Sequence, residues 1–400
     1  MTKINHGRTA GEWVEWFWNI RMPDWLDLVQ DHDGGGVYDV LDINGMPATK
    51  GEKSILTQAR TLFAFSHLAL LSGDPALVRA ARRQAAILPK FRKGPGLYRR
   101  AVNAEGDPTG MPADEVARSY DQCFIILGLA TWNKLSPSAE NQAEIDACWQ
   151  ALSTTLTDPE TGLLLEDDTV TDPAAPDAPP RSQNPHMHLY EACLQSYEMT
   201  GEGIWLTRAT VLRDTALRHF LDDDTDSLAE FVAPDLSPLA GELGARREPG
   251  HQYEWAWLLA REAEFNGNDT TPDVARRLQD FGESYGWATS GALEGTAFDA
   301  VWPDGRVMDG TFLLWPQTEA IKVYAIRHIA GDAGAGERAQ NLLCLMFEHW
   351  FADHSAWVNR VSDTGQVIWP EALTRLFYHL VIALTEGARA GLWPGIPGKR

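Results

Sequence analysis

Two short segments of the 400-residue chain place histidine and glutamate three residues apart, His188-Leu-Tyr-Glu191 and His251-Gln-Tyr-Glu254. Residues at that spacing share a helix face, so each glutamate can orient its imidazole or help set its proton affinity. Pro249-Gly250 marks a turn and the residues from Trp255 to Phe265 are apolar at helical spacing, which predicts His251 in a first helical turn. The positive end of the helix dipole is expected to keep that histidine near its neutral, proton-accepting form. Pro185 suits a first helical position, with Asn184 as the cap in front of it, so His188 is placed in the same way. Tyr253, Trp255 and Trp257 would serve as a stacking wall for a sugar ring or as ordinary core. Two His-Glu pairs also raise the question of a metal. The motif of helical bundles runs Glu-x-x-His, and no third acidic cluster is evident, so neither a metal nor another cofactor is expected.

Composition narrows the partners. The formal net charge is −22 and is spread along the chain, which argues against nucleic acid or an anionic membrane surface as a partner. Cys123, Cys148, Cys193 and Cys344 lie far apart and form no Cys-x-x-Cys pair, as expected of free thiols in a reducing cytoplasm. Residues Met1 to Trp18 carry Glu12 and Glu15 where an export signal would need an apolar core, and no apolar run is long enough to span a bilayer.

Helical periodicity dominates the elements that must carry these groups. Helices are predicted at 8–21, 53–72, 75–91, 113–133, 137–155, 186–200, 203–221, 251–266, 271–285, 312–331, 335–352 and 371–390. Short turns alternate with long loops rich in Gly, Pro and Asp, at 92–112, 158–185, 222–250, 288–310 and 353–370. Polar groups odd for a core recur in one helix of each pair: Arg60, Tyr120-Asp121, Asn184 to His188, His251 to Glu254, Trp315 to Glu319, and Tyr378-His379. Markers at 60, 121, 188, 251, 315 and 379 are separated by 61, 67, 63, 64 and 64 residues, so the chain reads as six helical hairpins of nearly constant length. The expectation is all-α: one domain over residues 1–400, an (α/α)6 barrel with even-numbered helices inside and the long loops at one mouth. An open solenoid of helical pairs is the alternative, and it would spread the markers along a groove.

Four segments carry a family resemblance: Arg181-Ser-Gln-Asn-Pro-His-Met-His-Leu-Tyr-Glu-Ala192, Glu248-Pro-Gly-His-Gln-Tyr-Glu-Trp255, Trp315-Pro-Gln-Thr-Glu-Ala320 and Tyr378-His379-Leu380. In order and spacing, from about Arg60 to His379, the chain resembles the N-acylglucosamine 2-epimerase superfamily, and the N-P-H-M-H-L form most resembles its mannose isomerase branch. The resemblance implies a metal-free (α/α)6 barrel, monomeric or homodimeric, that moves a proton beside the carbonyl of a monosaccharide. It also implies that His251 and His379 are the acid-base pair and that Glu254 supports His251. Arg60, Asn184, His188, Trp315 and Glu319 would line the sugar pocket, with Tyr120, Asp121 and Glu191 as further candidates. The segment Pro370-Glu-Ala-Leu-Thr-Arg-Leu-Phe-Tyr378 departs from the P-A-T-T-P-Y type expected there.

Transfer of a carbonyl between C1 and C2 requires a base for the C2 proton, a cis-enediolate, and return of the proton to C1; histidine suits both directions near neutral pH. The expected division gives that shuttle to His379, ring opening and movement of the hydroxyl proton to His251, and stabilisation of the enediolate oxygen to Arg60. The leading expectation is interconversion of D-mannose and D-fructose, with D-lyxose and D-xylulose as further substrates. Imidazoles on opposite faces of C2 would instead give a 2-epimerase acting on glucose and mannose or on an N-acyl sugar. A glycoside hydrolase using Asp121, Glu254 or Glu319, or a sugar-binding protein, would leave the paired histidines unexplained. For a phosphorylated sugar the sequence offers Arg246-Arg247 as the one compact basic cluster, and a solvated loop is the plainer reading of that pair.

Overall fold

The computed structural model describes residues 7–48, 51–267, 272–352 and 354–398. Residue 271, expected to open the ninth helix, lies outside them, as do the first six residues of the N-terminal stretch.

The N-terminal helix α1 (Ala10–Trp16) passes through a π-turn, Phe17–Arg21, into α2 (Met22–Val29). Helical hairpins follow: α3 (Ile55–Ser72) with α4 (Pro75–Ile87); then, after the short α5 (Pro112–Glu115), α6 (Ser119–Leu135) with α7 (Ala139–Thr155) and α8 (Asn184–Thr200) with α9 (Gly203–Phe220). Beyond the short α10 (Gly241–Ala245) come α11 (Pro249–Phe265) with α12 (Asp273–Tyr285), α13 (Leu314–Ile329) with α14 (Ala333–Trp350), and last α15 (Phe377–Arg389). Helices α3, α6, α8, α11, α13 and α15 pack each on the next, and α15 returns to α3. The ring is closed, an (α/α)6 barrel, which removes the open solenoid. Outside it, α1 packs on α14.

Burial explains the two layers. Inner helices are covered on nearly every side: in α6 all residues from Ser119 to Trp132 are buried except Tyr120. Outer helices bury one stripe, as α12 does with Ala275, Leu278, Gln279, Phe281 and Gly282 at three- and four-residue steps. Trp13, Trp25, Trp255 and Trp350 are fully buried, and each such large side chain contributes about 1.5–3 kcal/mol of burial. At Gly128 of α6 an added Cβ would lie 2.8 Å from the Ala59 carbonyl of α3, so this helix pair approaches closely because one residue lacks a side chain.

A second repeat, in polar residues, ties the mouth to the ring. The side-chain amide of an inner-helix glutamine pairs with both the N–H and the C=O of one loop residue upstream: Gln58 with Val37, Gln122 with Tyr98, Gln252 with Leu228, and Gln317 with Ala297. In α8 an imidazole does comparable work, as His186 accepts the Leu164 N–H at 2.9 Å. Each clamp satisfies buried backbone groups of a segment that would otherwise be a free loop.

Short antiparallel ladders at the mouth shorten several predicted helices. Ala372-Leu373 pair with Leu41-Val40, and Phe312-Leu313 pair with Val361-Arg360, so the helices expected from 371 and 312 begin at Phe377 and Leu314. The helix expected from 113 is broken by extended Val116–Arg118 and begins at Ser119. No helix among the described residues is long and apolar enough to cross a membrane.

Candidate functional site

At the N-terminal ends of the inner helices lies a cavity of about 270 Å³, the scale of one small polar molecule. Its lining brings together Arg60, Tyr120, Asn184, His188, His251, Glu254, Trp315 and His379, from all six inner helices. A larger cavity, about 390 Å³, opens at the other end of the barrel between apolar side chains such as Phe63 and Trp257 and charged ones such as Glu198, Arg261 and Glu386, and reaches none of the paired histidines.

Trp315 stands between the two candidate histidines, its ring centroid 4.9 Å from His251 and 5.9 Å from His379. Gly250 makes room for it, since a Cβ there would lie 2.5 Å from the indole. The stacking surface is thus Trp315, and the expected aromatic wall is core. Trp255 is fully buried and donates its indole N–H to Gln183 at 2.6 Å, Tyr253 packs on Trp287, and Trp257 faces the opposite cavity.

His251 does occupy the first turn of α11, but Glu254 is not its partner. Its Nδ1 meets Glu230 at 2.7 Å, with Glu248 at 3.4 Å. Glu230 arrives because Gln252 clamps Leu228 two residues upstream, and Gln183 at 3.0 Å and the Glu248 N–H at 3.2 Å then fix its carboxylate. Burial opposes a charge on His251, but the carboxylates of Glu230 and Glu248 outweigh it and push its pKa up to about 10. The expected neutral histidine is therefore an imidazolium: two buried carboxylates overcome the weak field of a helix end.

His379 has the opposite setting. Its Nδ1 lies 2.8 Å from Glu319, and its Nε2 lies 3.4 Å from an Arg60 nitrogen. Arg60 can only donate, so Nε2 carries the lone pair and Nδ1–H donates to Glu319. Burial, with Arg60 and Lys322 nearby, holds its pKa well below the usual histidine range. Arg60 also donates to the Tyr120 hydroxyl at 2.6 Å.

His188 and Glu191 form the pair expected, Nδ1 to Oε2 at 3.0 Å, and burial holds His188 down to a pKa of about 3. Asn184 opens α8 without acting as a side-chain cap; its Oδ1 is buried, has no partner and borders the cavity. Glu254 borders the cavity too, 1 % exposed, with no hydrogen bond to either oxygen.

Three expected lining residues lie behind the wall. Glu319 and Glu191 hold His379 and His188 from the rear, Glu191 also accepting from the Tyr378 hydroxyl. Asp121 is buried behind Tyr120, its carboxyl pushed up to about 6 by burial. The sequence reading missed Glu230, Glu248, Arg375 and Lys322. Glu230 carries no local signal, but Glu248 stands three residues before His251, and Lys322 stands three residues after Glu319 inside the apolar run Ala320 to Ala325, both open to notice.

Arg246 and Arg247 are not a solvated loop. Arg246 bonds Glu248 at 2.7 Å and Asp299 at 3.2 Å, and buried Arg247 bonds Asp222 at 3.1 Å. Three sets of donors among the described residues fall within 4.8 Å of one another: His188, Glu191 and Glu254; Glu230, Glu248 and His251; Glu254, Glu319 and His379. In each set the histidine already bonds a carboxylate, and Lys322 supplies a cation beside Glu254 and Glu319.

A closed (α/α)6 barrel with a charged and a neutral imidazole over one cavity, together with its relatives, makes the protein an enzyme of the class that isomerises or epimerises sugars. The chain belongs to the N-acylglucosamine 2-epimerase (GlcNAc 2-epimerase) family, whose model matches residues 35–383. It is 32% identical over 390 residues to a mannose-6-phosphate isomerase of Rhizobium meliloti (strain 1021), spanning 94% of this chain and 96% of that protein. In fold it resembles a crystal structure of D-mannose isomerase, TM-score 0.81 at 19% identity, covering 94% of this chain and 97% of the other. It also resembles cellobiose 2-epimerase from Spirochaeta thermophila DSM 6192, TM-score 0.79 at 21% identity, covering 95% and 96%.

Proposed function

We propose that this enzyme is an aldose-ketose isomerase that interconverts D-mannose and D-fructose, taking D-lyxose and D-xylulose as further substrates. The observation that supports it is the pairing of a charged and a neutral imidazole on either side of Trp315. His251, protonated, gives its proton to the ring oxygen and takes the C1 hydroxyl proton in return, which opens the sugar to its carbonyl form. His379 Nε2 then takes the C2 proton, leaving an enediolate whose oxygen Arg60 and Tyr120 stabilise. His251 moves the hydroxyl proton from O2 to O1, and the His379 imidazolium returns the C2 proton to C1, giving the ketose. Asn184, His188 and Glu254 offer hydrogen bonds to the hydroxyls.

The test is incubation with mannose after treatment with a chelator, with products separated by chromatography. Fructose is expected. Glucose without fructose would turn the reading to a 2-epimerase, no product would leave a hydrolase or a binding protein, and activity lost to the chelator would contradict a metal-free route.

A second reading concerns the 6-position. Arg375 borders the cavity beside Arg60 and, among the described residues, makes no hydrogen bond or ion pair to a carboxylate. A guanidinium so placed suits a phosphorylated sugar, in keeping with the name of the Rhizobium relative. On that reading mannose 6-phosphate has the higher kcat/KM, and Arg375→Met lowers the ratio of phosphorylated to free sugar turnover at least tenfold. An unaltered ratio would remove Arg375 from substrate selection.

A further inference from the structure

Directly behind His379 is a charge arrangement that the reaction as described leaves unused. Lys322 is completely buried. Its ammonium touches Glu319, lies 3.9 Å from Glu254, and sits 4.0 Å above the Trp257 ring on its other side. The charged and titratable groups around it are Glu319 on its own helix, His188 and Glu191 on α8, Glu254 on α11 and His379 on α15, with Arg60 and Tyr378 standing against His379. An ion in such a place is costly to bury unless its partners hold it well, so a lysine kept there has a use to be found.

Glu319 links it to the chemistry. One carboxylate oxygen meets Lys322 and the other accepts from His379 Nδ1 at 2.8 Å, while Arg60 approaches Nε2 at 3.4 Å. Burial, then Glu254 and Glu191, raise the Glu319 pKa well above the usual carboxylate range, and Lys322 limits that rise. The protonation of Glu319 decides which imidazole nitrogen is the base. As a carboxylate Glu319 can only accept, so Nδ1 keeps its hydrogen and the lone pair stays on Nε2. As a carboxylic acid it can donate to Nδ1, and the hydrogen then moves to Nε2, the nitrogen that must take the C2 proton.

We propose that Lys322 is a positioning residue of the proton transfer: it keeps Glu319 an acceptor, and thereby keeps His379 in the tautomer whose basic nitrogen faces the sugar. This rests on the isomerase reading above. It adds a residue that touches neither substrate nor base, and it gives the buried ammonium a defined role along the line from Lys322 through Glu319 and His379 to Arg60.

The experiment compares Lys322→Met, Glu319→Gln and the double variant with the wild type. It uses whichever of mannose or mannose 6-phosphate the wild type converts, and it records kcat, KM and the pH profile of kcat/KM. Lys322→Met is expected to lower kcat about 10- to 100-fold with KM changed less than about threefold. Its acid limb moves to higher pH, because Glu319 then needs a higher pH to ionise. Glu319→Gln has no charge for Lys322 to hold, so the double variant should be no slower than Glu319→Gln alone. Losses that multiply in the double variant, or a Lys322→Met acid limb at the wild-type position, overturn the proposal. Should Lys322→Met fail to fold by circular dichroism, the comparison of Glu319→Gln with the double variant decides alone, since removing both members of a buried ion pair is tolerated better than orphaning one. A wild type that converts neither sugar overturns the isomerase reading itself, a different result from a failure at Lys322.

Discussion

The two imidazoles beside Trp315 are the same residue type at similar depth, yet they differ in charge. His251 faces Glu230 and Glu248 and is an imidazolium; His379 faces one carboxylate, a guanidinium and, one shell further out, an ammonium, and is neutral. Burial lowers the proton affinity of both. The difference lies in the count of neighbouring charges, two anions at one station against a mixed set at the other. An acid and a base stand ready at one cavity without either having to titrate first.

Removing the base should be the most damaging change. His379→Asn is expected to lower kcat by about 10³-fold or more with the fold intact by circular dichroism; turnover near wild type would end the assignment. His251→Asn follows, with a loss of about 10²-fold, and it should be only partly spared if an open-chain substrate is supplied, because ring opening is then bypassed while movement of the hydroxyl proton is not.

Changing the charge count sharpens the comparison further. His251 has its pKa raised, so its favourable charge is fully present below about pH 6.5, the ordinary value, and is lost as pH rises through about 10. The alkaline limb of kcat/KM should therefore lie near pH 10. Glu230→Gln should pull that limb down by a pH unit or more, lowering activity about fivefold at pH 10 and little at pH 7, measured as a full pH profile. An unmoved limb would mean that His251 owes its charge to something else. On the acid side, His379 has its pKa held well below pH 6.5 and Glu319 has its pKa raised, so the acid limb of the wild type should follow protonation of Glu319.

Asp121→Asn should have the smallest effect, within about threefold in kcat/KM. Asp121 lies behind Tyr120 and does not border the cavity. A loss of a hundredfold would show that the rear of the wall matters as much as its face.

How far the sequence reached depends on the range of the interaction. The hairpins were legible because apolar spacing along one helix reports what that helix buries, and the near-constant 64-residue recurrence reports the ring. His188 with Glu191 was legible for the same reason, both members being on one helix face. The partner of His251 was not. Glu254 has the right spacing, but Gln252 holds the loop at Leu228 and so delivers Glu230 from 21 residues away. Arg375 was hidden likewise, since a ladder between residues 40–41 and 372–373 reshapes the segment that sequence alone reads as helix. The clamping residues Gln58, Gln122, His186, Gln252 and Gln317 do recur with the hairpins, but that recurrence does not say which loop carboxylate each clamp delivers.

The division of labour between the two imidazoles can be read directly by following mannose in deuterium oxide by nuclear magnetic resonance, with mutarotation measured alongside. His379→Asn should stop deuterium entering at C2 of mannose and C1 of fructose while still speeding mutarotation, and His251→Asn should lose the acceleration of mutarotation. Exchange at the wild-type rate in His379→Asn would contradict the account, because the proton at C2 would then have another acceptor.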